Sequence, residues 1–164
     1  MTTFTLVHVA ISLVGIGAGL VVVFGLLRGM RLDAWTAVFL ASTVATSVTG
    51  FAFPADRVLP SHIIGGISLL VLAVAIYARY ARGLVRGWRT AYVVGAVLAL
   101  YLNAFVLVVQ LFIRVPALHA LAPTQSEPAF QAAQLCLLVL FVALGVGAVL
   151  GFRRQGAAVG VARA

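Results

Sequence analysis

The chain has very few acidic residues and no lysine. Of its 164 residues only three are Asp or Glu, and the eleven Lys or Arg positions are all arginine. Charged residues make up 9% of the sequence, whereas about a quarter of a soluble domain is charged. Side chains of this composition cannot cover a water-facing surface, so an ordinary soluble fold is excluded.

Cysteine and the motifs of common enzymes are also scarce. Cys136 is the single cysteine, which excludes a disulfide within the chain. We expect it to be a small apolar residue buried in the last hydrophobic segment. The sequence has no HExxH, HxxxH or CxxCH motif and no glycine-rich phosphate loop. These absences favour a non-enzymatic protein.

Hydrophobic residues dominate what remains. They make up 64% of the chain and fall into five segments, each near the roughly twenty residues that a helix needs to cross a bilayer. The predicted transmembrane helices are Phe4–Leu27, Trp35–Phe53, Ile63–Ala81, Thr90–Ile113 and Phe130–Phe152. The sequence therefore predicts one all-α transmembrane domain over residues 1–164, a bundle of five helices.

The arginines are distributed unevenly between the two ends of these segments. Nine lie in the first and third connections or the C-terminal tail, whereas the other two connections hold one each, Arg57 and Arg114. Because cytoplasmic loops are enriched in basic residues, we expect the N-terminus outside and the C-terminus in the cytoplasm. Membrane topology accounts for the net charge of +8, so nucleic acid is not an expected partner.

Uncharged polar residues interrupt the second and fourth segments. We expect a polar seam between these two helices, with Asn103 hydrogen-bonded to a hydroxyl and each such bond worth about 0.6–2 kcal/mol. The seam residues are Ser42, Thr43, Thr46, Thr49 and Asn103. The alternative is that the same face lines a path for a small neutral solute.

Small residues and prolines predict two further features. Gly15 with Gly19, and Gly147 with Gly151, form GxxxG pairs of the kind that allow close helix contact in lipid. In the long connection Val115–Ala129, we expect a short helix that begins at Pro116 and ends before the next proline. The long connection is expected on the outer side.

All three histidines also fall on the predicted outer side. His8 and His62 lie on two predicted helices of the same direction at similar depth, an arrangement suited to the axial ligands of a haem b, or to a quinone site. Alternatively, His8, His62, His119 and Glu127 together supply ligands for zinc or copper. The third interpretation involves no cofactor: His8 bonds a neighbouring helix, and the other two histidines are polar residues at headgroup level.

Three stretches carry a family resemblance: Arg31–Pro54, Tyr101–Phe112 and Val115–Phe130. They resemble uncharacterised small polytopic inner-membrane proteins of proteobacteria, most specifically through the sequence APTQSEP. The resemblance implies a bacterial inner-membrane location and the same number of helices. It transfers no catalytic residue.

Three functions are compatible with these features. The first is a non-enzymatic accessory or anchoring subunit, or a scaffold, that associates with other membrane subunits or with itself in the lipid bilayer. The second is a membrane redox protein that binds haem, quinone or metal through the outer histidines. The third is a transporter of a small neutral solute, which with five helices would need to be an oligomer.

Overall fold

The computed structural model describes residues 3–53 and 60–161, except the side chains of residue 60 and residues 153–161. This part of the chain is helical and contains no strand. The helices are α1 (Thr3–Leu27), α2 (Asp33–Gly50), α3 (Pro60–Ile76, continued by a π-helical turn at Tyr77–Ala81), α4 (Trp88–Arg114), α5 (Pro116–Leu121) and α6 (Pro128–Val161). Arg57, Arg163 and the side chains of Arg153 and Arg154 lie outside the description.

Among the described residues, four helices are long and apolar enough to cross a membrane, by length and composition. Their spans are Thr3–Leu27, Ser61–Ala81, Trp88–Arg114 and Pro128–Phe152. The chain is therefore a multi-pass membrane protein. α2 is less apolar, because six of its 18 residues are serine or threonine. A fifth crossing, made by α2, and the sidedness of the chain stay predictions.

Several helix ends differ from the predicted ones. α2 begins at Asp33 rather than Trp35. The negative charge of Asp33 in the first turn is stabilised by the positive end of the helix dipole. It ends at Gly50, and residues 51–52 form a turn instead of continuing to Phe53. α5 has Pro116 as its first residue and ends at Leu121, which confirms the predicted short helix.

α1 and α2 form an antiparallel hairpin with closely packed backbones. His8 bonds Thr49 near one end, and at the other end a Cβ added to Gly25 would meet the side chain of Leu32. The first GxxxG pair faces both α2 and α4: a Cβ on Gly19 would come within 2.9 Å of Phe39 and 2.6 Å of Leu100. α1 therefore packs against both α2 and α4 at this level.

The two ends of the bundle differ in composition. We call the end where α1 and α3 begin the histidine end, because it carries His8 and His62. The opposite end, where α2 and α4 begin, is the arginine end and carries Arg28 and Arg79. There the second GxxxG pair brings α6 against the end of α1, because Gly147 and Gly151 both face Leu27.

A buried arginine joins three helices at the arginine end. Arg79 lies in the π-helical turn after α3, and its side chain, which is 3% exposed, pairs with Asp33 of α2. Its guanidinium carbon lies 5.0 Å from the ring centre of Tyr92 on α4, whose hydroxyl is 3.3 Å from the hydroxyl of Thr36. From the sequence, Arg79 was interpreted only as one of the arginines that indicate the cytoplasmic side. The structure places it in the packed interior.

Candidate functional site

A cavity of about 450 Å³ opens within the bundle among α1, α2, α3 and α4. Along α4 it extends from Arg114 to Leu102, a separation of twelve residues or about 18 Å of helix. Its walls are largely apolar, with Leu102, Val106 and Leu107 on the α4 side. The polar residues on the wall are Thr5, His8, Ser12, Thr43, Thr46, Ser47, Ser61, His62, Ser68, Asn103, Gln110 and Arg114.

Asn103 marks the deep end of the cavity. Its side chain is buried, and its amide oxygen accepts a 2.9 Å hydrogen bond from the hydroxyl of Ser12. This hydroxyl belongs to α1, not to α2 as the sequence analysis expected. Gly15 has no side chain to hold α1 away from Thr43 and Asn103, so α1 packs against both helices and Ser12 reaches Asn103.

Three buried polar atoms on the cavity wall have no hydrogen-bond partner among the described residues. They are Oγ1 of Thr43, Oγ1 of Thr46 and Nδ2 of Asn103. Helical hydroxyls usually bond back to the preceding turn, as Ser47 does to the carbonyl of Thr43 at 2.9 Å. Because an unsatisfied buried polar group costs about 1–3 kcal/mol, three on one wall are unusual for a site with only a packing role.

The remaining polar residues of α2 are already engaged. Ser42 donates to the carbonyl of Val38 at 2.6 Å, so its proton is used within its own helix. Ser47 also lies 3.2 Å from the hydroxyl of Ser68 on α3. Of the predicted seam, Thr43, Thr46 and Asn103 line the cavity, whereas Ser42 and Thr49 bond to carbonyls of their own helix.

His8 is held in place by two neighbours. Its Nδ1 lies 2.8 Å from Oγ1 of Thr49, and its ring meets the ring of Phe53 edge-on at 5.0 Å. The Thr49 hydroxyl donates its proton to the carbonyl of Ala45 at 2.7 Å, so it accepts one from Nδ1 of His8. In this arrangement Nδ1 carries a proton.

The other two histidines have different surroundings. His62 stacks on Phe51 with ring centres 5.5 Å apart and an interplanar angle of 17°, and it lines the cavity together with His8. His119 lies on α5 and is exposed, and it is not part of the cavity wall.

Glu127 closes the turn that precedes α6. Its carboxylate accepts hydrogen bonds from the backbone and hydroxyl of Thr124 at 3.1 and 2.8 Å and from the backbone of Ser126 at 3.0 Å. Desolvation acts to raise the pKa of this exposed carboxyl, but these hydrogen bonds outweigh it and hold the pKa below its usual value. The turn thus stabilises the charged form of Glu127, and its carboxylate has a structural role there.

The four residues of the predicted metal site are not brought together. Across residues 3–53 and 60–152, no group of three or more His, Cys, Asp or Glu side chains is placed to hold a metal ion. The zinc or copper interpretation has no support in this geometry. Cys136 is exposed on the surface of α6 rather than buried, which corrects the expectation for that residue.

Comparison of the chain with protein-family models, with curated proteins and with solved structures finds no match. The cavity and its unpartnered polar atoms are therefore the observations on which a function is argued. Sequence analysis missed Ser12 and Ser68 in this site. Ser12 was detectable, because His8, Ser12, Gly15 and Gly19 are spaced by four, three and four residues and share one face of α1.

Proposed function

We propose that this is a bacterial inner-membrane carrier that binds a small uncharged molecule in the cavity among α1–α4. The observation that carries the proposal is the set of three unpartnered polar atoms on an otherwise largely apolar wall. Binding sites for small molecules have this composition, an apolar pocket of about 300–1,000 Å³ with a few convergent polar groups. The third function considered from sequence is thus the best supported.

The charge of the wall favours an uncharged ligand. Among the described lining residues, the charged side chain is Arg114, which is exposed at the mouth of the cavity. The other polar groups on the wall are hydroxyls, amides and the rings of His8 and His62. An ion moved into such a site would lose its hydration without gaining a counter-charge, which is costly in a low-dielectric interior.

A cavity-filling variant tests this proposal. Thr46→Leu places an apolar side chain where the threonine hydroxyl faces the cavity, whereas Val48→Leu enlarges a residue that is 53% exposed on the other side of α2. We expect protein purified gently from its own membrane to retain a small molecule in the wild type and in Val48→Leu, and to lose it in Thr46→Leu. Mass spectrometry of the extracted small molecules measures this.

Equal retention by the two variants, or no small molecule in the wild type, would count against the carrier. The same measurement addresses the second candidate, an accessory subunit. That candidate is favoured by the outward face of α6, where Leu135, Val139 and Val142 are each at least 57% exposed. Recovery of a second polypeptide without any small molecule would replace the carrier by this alternative.

The proposal includes five membrane crossings, with α2 as the second. Support comes from the hairpin of α1 and α2, which pair from His8 and Thr49 at one end to Gly25 and Leu32 at the other. The hydroxyls of Ser42, Ser47 and Thr49 bond to carbonyls of their own helix, which reduces the cost of placing α2 in lipid.

Cysteine labelling in intact cells tests both the crossing and the sidedness. In a Cys136→Ala background, single cysteines replace Met30, Val85 and Thr124, all of which are exposed. If α2 crosses, positions 30 and 85 share the cytoplasmic side and resist an impermeant maleimide, while position 124 reacts. If position 85 reacts and position 30 is protected, α2 does not cross. If positions 30 and 85 both react and only position 124 is protected, the topology is inverted.

A further inference from the structure

The deep end of the cavity presents hydrogen-bond donors, and this limits the chemistry of the ligand. Building on the proposed carrier function, we infer that the ligand is an uncharged molecule with an apolar body and a carbonyl-type oxygen, which accepts hydrogen bonds from Asn103 and Thr43. Ketones, quinones and esters share this chemistry.

The structure orients the Asn103 amide with its oxygen toward Ser12. The amide oxygen of Asn103 accepts from Ser12 at 2.9 Å, so the Nδ2 group is oriented away from that contact. Nδ2 carries two N–H donors and no acceptor, and it has no partner among the described residues. Asn103 is 8% exposed, so bulk solvent does not readily replace a partner.

Thr43 supplies a second donor beside the first. Its side chain is 1% exposed, and its hydroxyl is unpartnered among the described residues instead of bonding back to its own helix. The two groups lie near each other, because a Cβ built on Gly15 would be 3.2 Å from Oγ1 of Thr43 and 3.3 Å from Nδ2 of Asn103, and both residues line the cavity. An acceptor oxygen that reaches Thr43 and Asn103 from the cavity would receive a bond from each.

A donor-only ligand fits this end poorly. A protonated amine has only N–H donors, so it would leave the buried donor Nδ2 of Asn103 unsatisfied. A hydrocarbon would leave both donors unsatisfied. The apolar walls at Leu102, Val106 and Leu107 suit the body of the ligand, so the recognised molecule combines an apolar frame with one acceptor at its leading end.

Two probes of the same skeleton, 1-indanone and indane, test the inference because they differ only by the carbonyl group. Equilibrium dialysis against protein in lipid nanodiscs, with empty nanodiscs as the correction for bilayer partition, gives the affinity of each. We expect the wild type to prefer the ketone about tenfold, as two net hydrogen bonds predict. Thr43→Val and Asn103→Leu should each reduce this preference without weakening the binding of indane.

Thr90→Val is the matched control, since Thr90 lies outside the cavity wall and the preference should not change. Thr43→Val preserves side-chain shape, so it tests the inference even where Asn103→Leu impairs folding. Equal affinities in the wild type would overturn the acceptor inference, for example if a water already satisfies both donors, and would leave the carrier proposal standing. No binding of either probe above empty nanodiscs would overturn both.

Discussion

Replacing Gly151 by alanine will destabilise the protein by about 3 kcal/mol, which is the upper part of the range for overpacking substitutions. The new Cβ would collide with the carbonyl oxygen and carbon of Leu27 and lie 3.1 Å from the carbonyl oxygen of Leu26. These atoms are backbone at the end of α1, so no side-chain rotation relieves the clash. Reversible unfolding in mixed micelles of increasing SDS content measures the change in the free energy of unfolding.

Gly17→Ala is the control for this prediction. A Cβ at Gly17 meets no heavy atom within 4 Å, although the residue lies in the middle of α1. Gly17→Ala should therefore not destabilise the protein, and it should raise the free energy of unfolding by at most about 1 kcal/mol through helix propensity. If both variants unfold at the same SDS fraction, α6 does not pack on α1 as the structure shows.

The contrast between these two glycines shows what the sequence could predict about the fold. Apolar runs of sufficient length predict transmembrane helices because lipid leaves backbone polar groups no other partner, and four helices of the structure have that character. The GxxxG pairs predict close contacts, and Gly19 and Gly151 make them. No local pattern names the partner helix, so the contact of Gly151 with Leu27 required the structure.

The candidate site was likewise predicted only in part, because the sequence did not show which helices are neighbours. The hydroxyls of α2 and Asn103 of α4 were recognised from sequence as one polar layer, because they lie at similar depth. The sequence did not indicate that α1 packs against both of these helices, so Asn103 was assigned a partner on α2 instead of Ser12. Depth follows from counting residues along a helix, whereas adjacency depends on which small faces fit together.

Arg79 illustrates a different reason for failure. An arginine near a helix end is expected to extend to the headgroups, and its sequence position indicated only that. In the structure the chain forms a π-helical turn at Tyr77–Ala81, which changes the direction of the side chains after Ile76. Arg79 is thereby turned inward to Asp33 and Tyr92, where its charge needs compensation.

From this burial we predict that Asp33→Asn will cost about 2 kcal/mol and that the loss will depend on Arg79. Removing one partner of a fully buried ion pair costs about 3–5 kcal/mol, because a buried charge is left without a counter-charge. We expect a smaller loss here, because Asp33 is 74% exposed and water can replace part of the stabilisation that it gives to Arg79. The rings of Tyr80 and Tyr92 also still face the guanidinium. The unfolding free energy in mixed micelles at neutral pH measures the loss.

In an Arg79→Met background the same Asp33→Asn change should cost about 0.5 kcal/mol, the size of a helix-terminus charge effect at the first turn of α2. The difference between the two backgrounds is the coupling energy of the pair. Arg79→Met alone should cost less than Asp33→Asn alone, because methionine fills the space without leaving a buried charge, while Asp33 stays hydrated. Equal costs of Asp33→Asn in both backgrounds would mean that Asp33 does not compensate Arg79, and that the two tyrosine rings and the surrounding dipoles hold this charge by themselves.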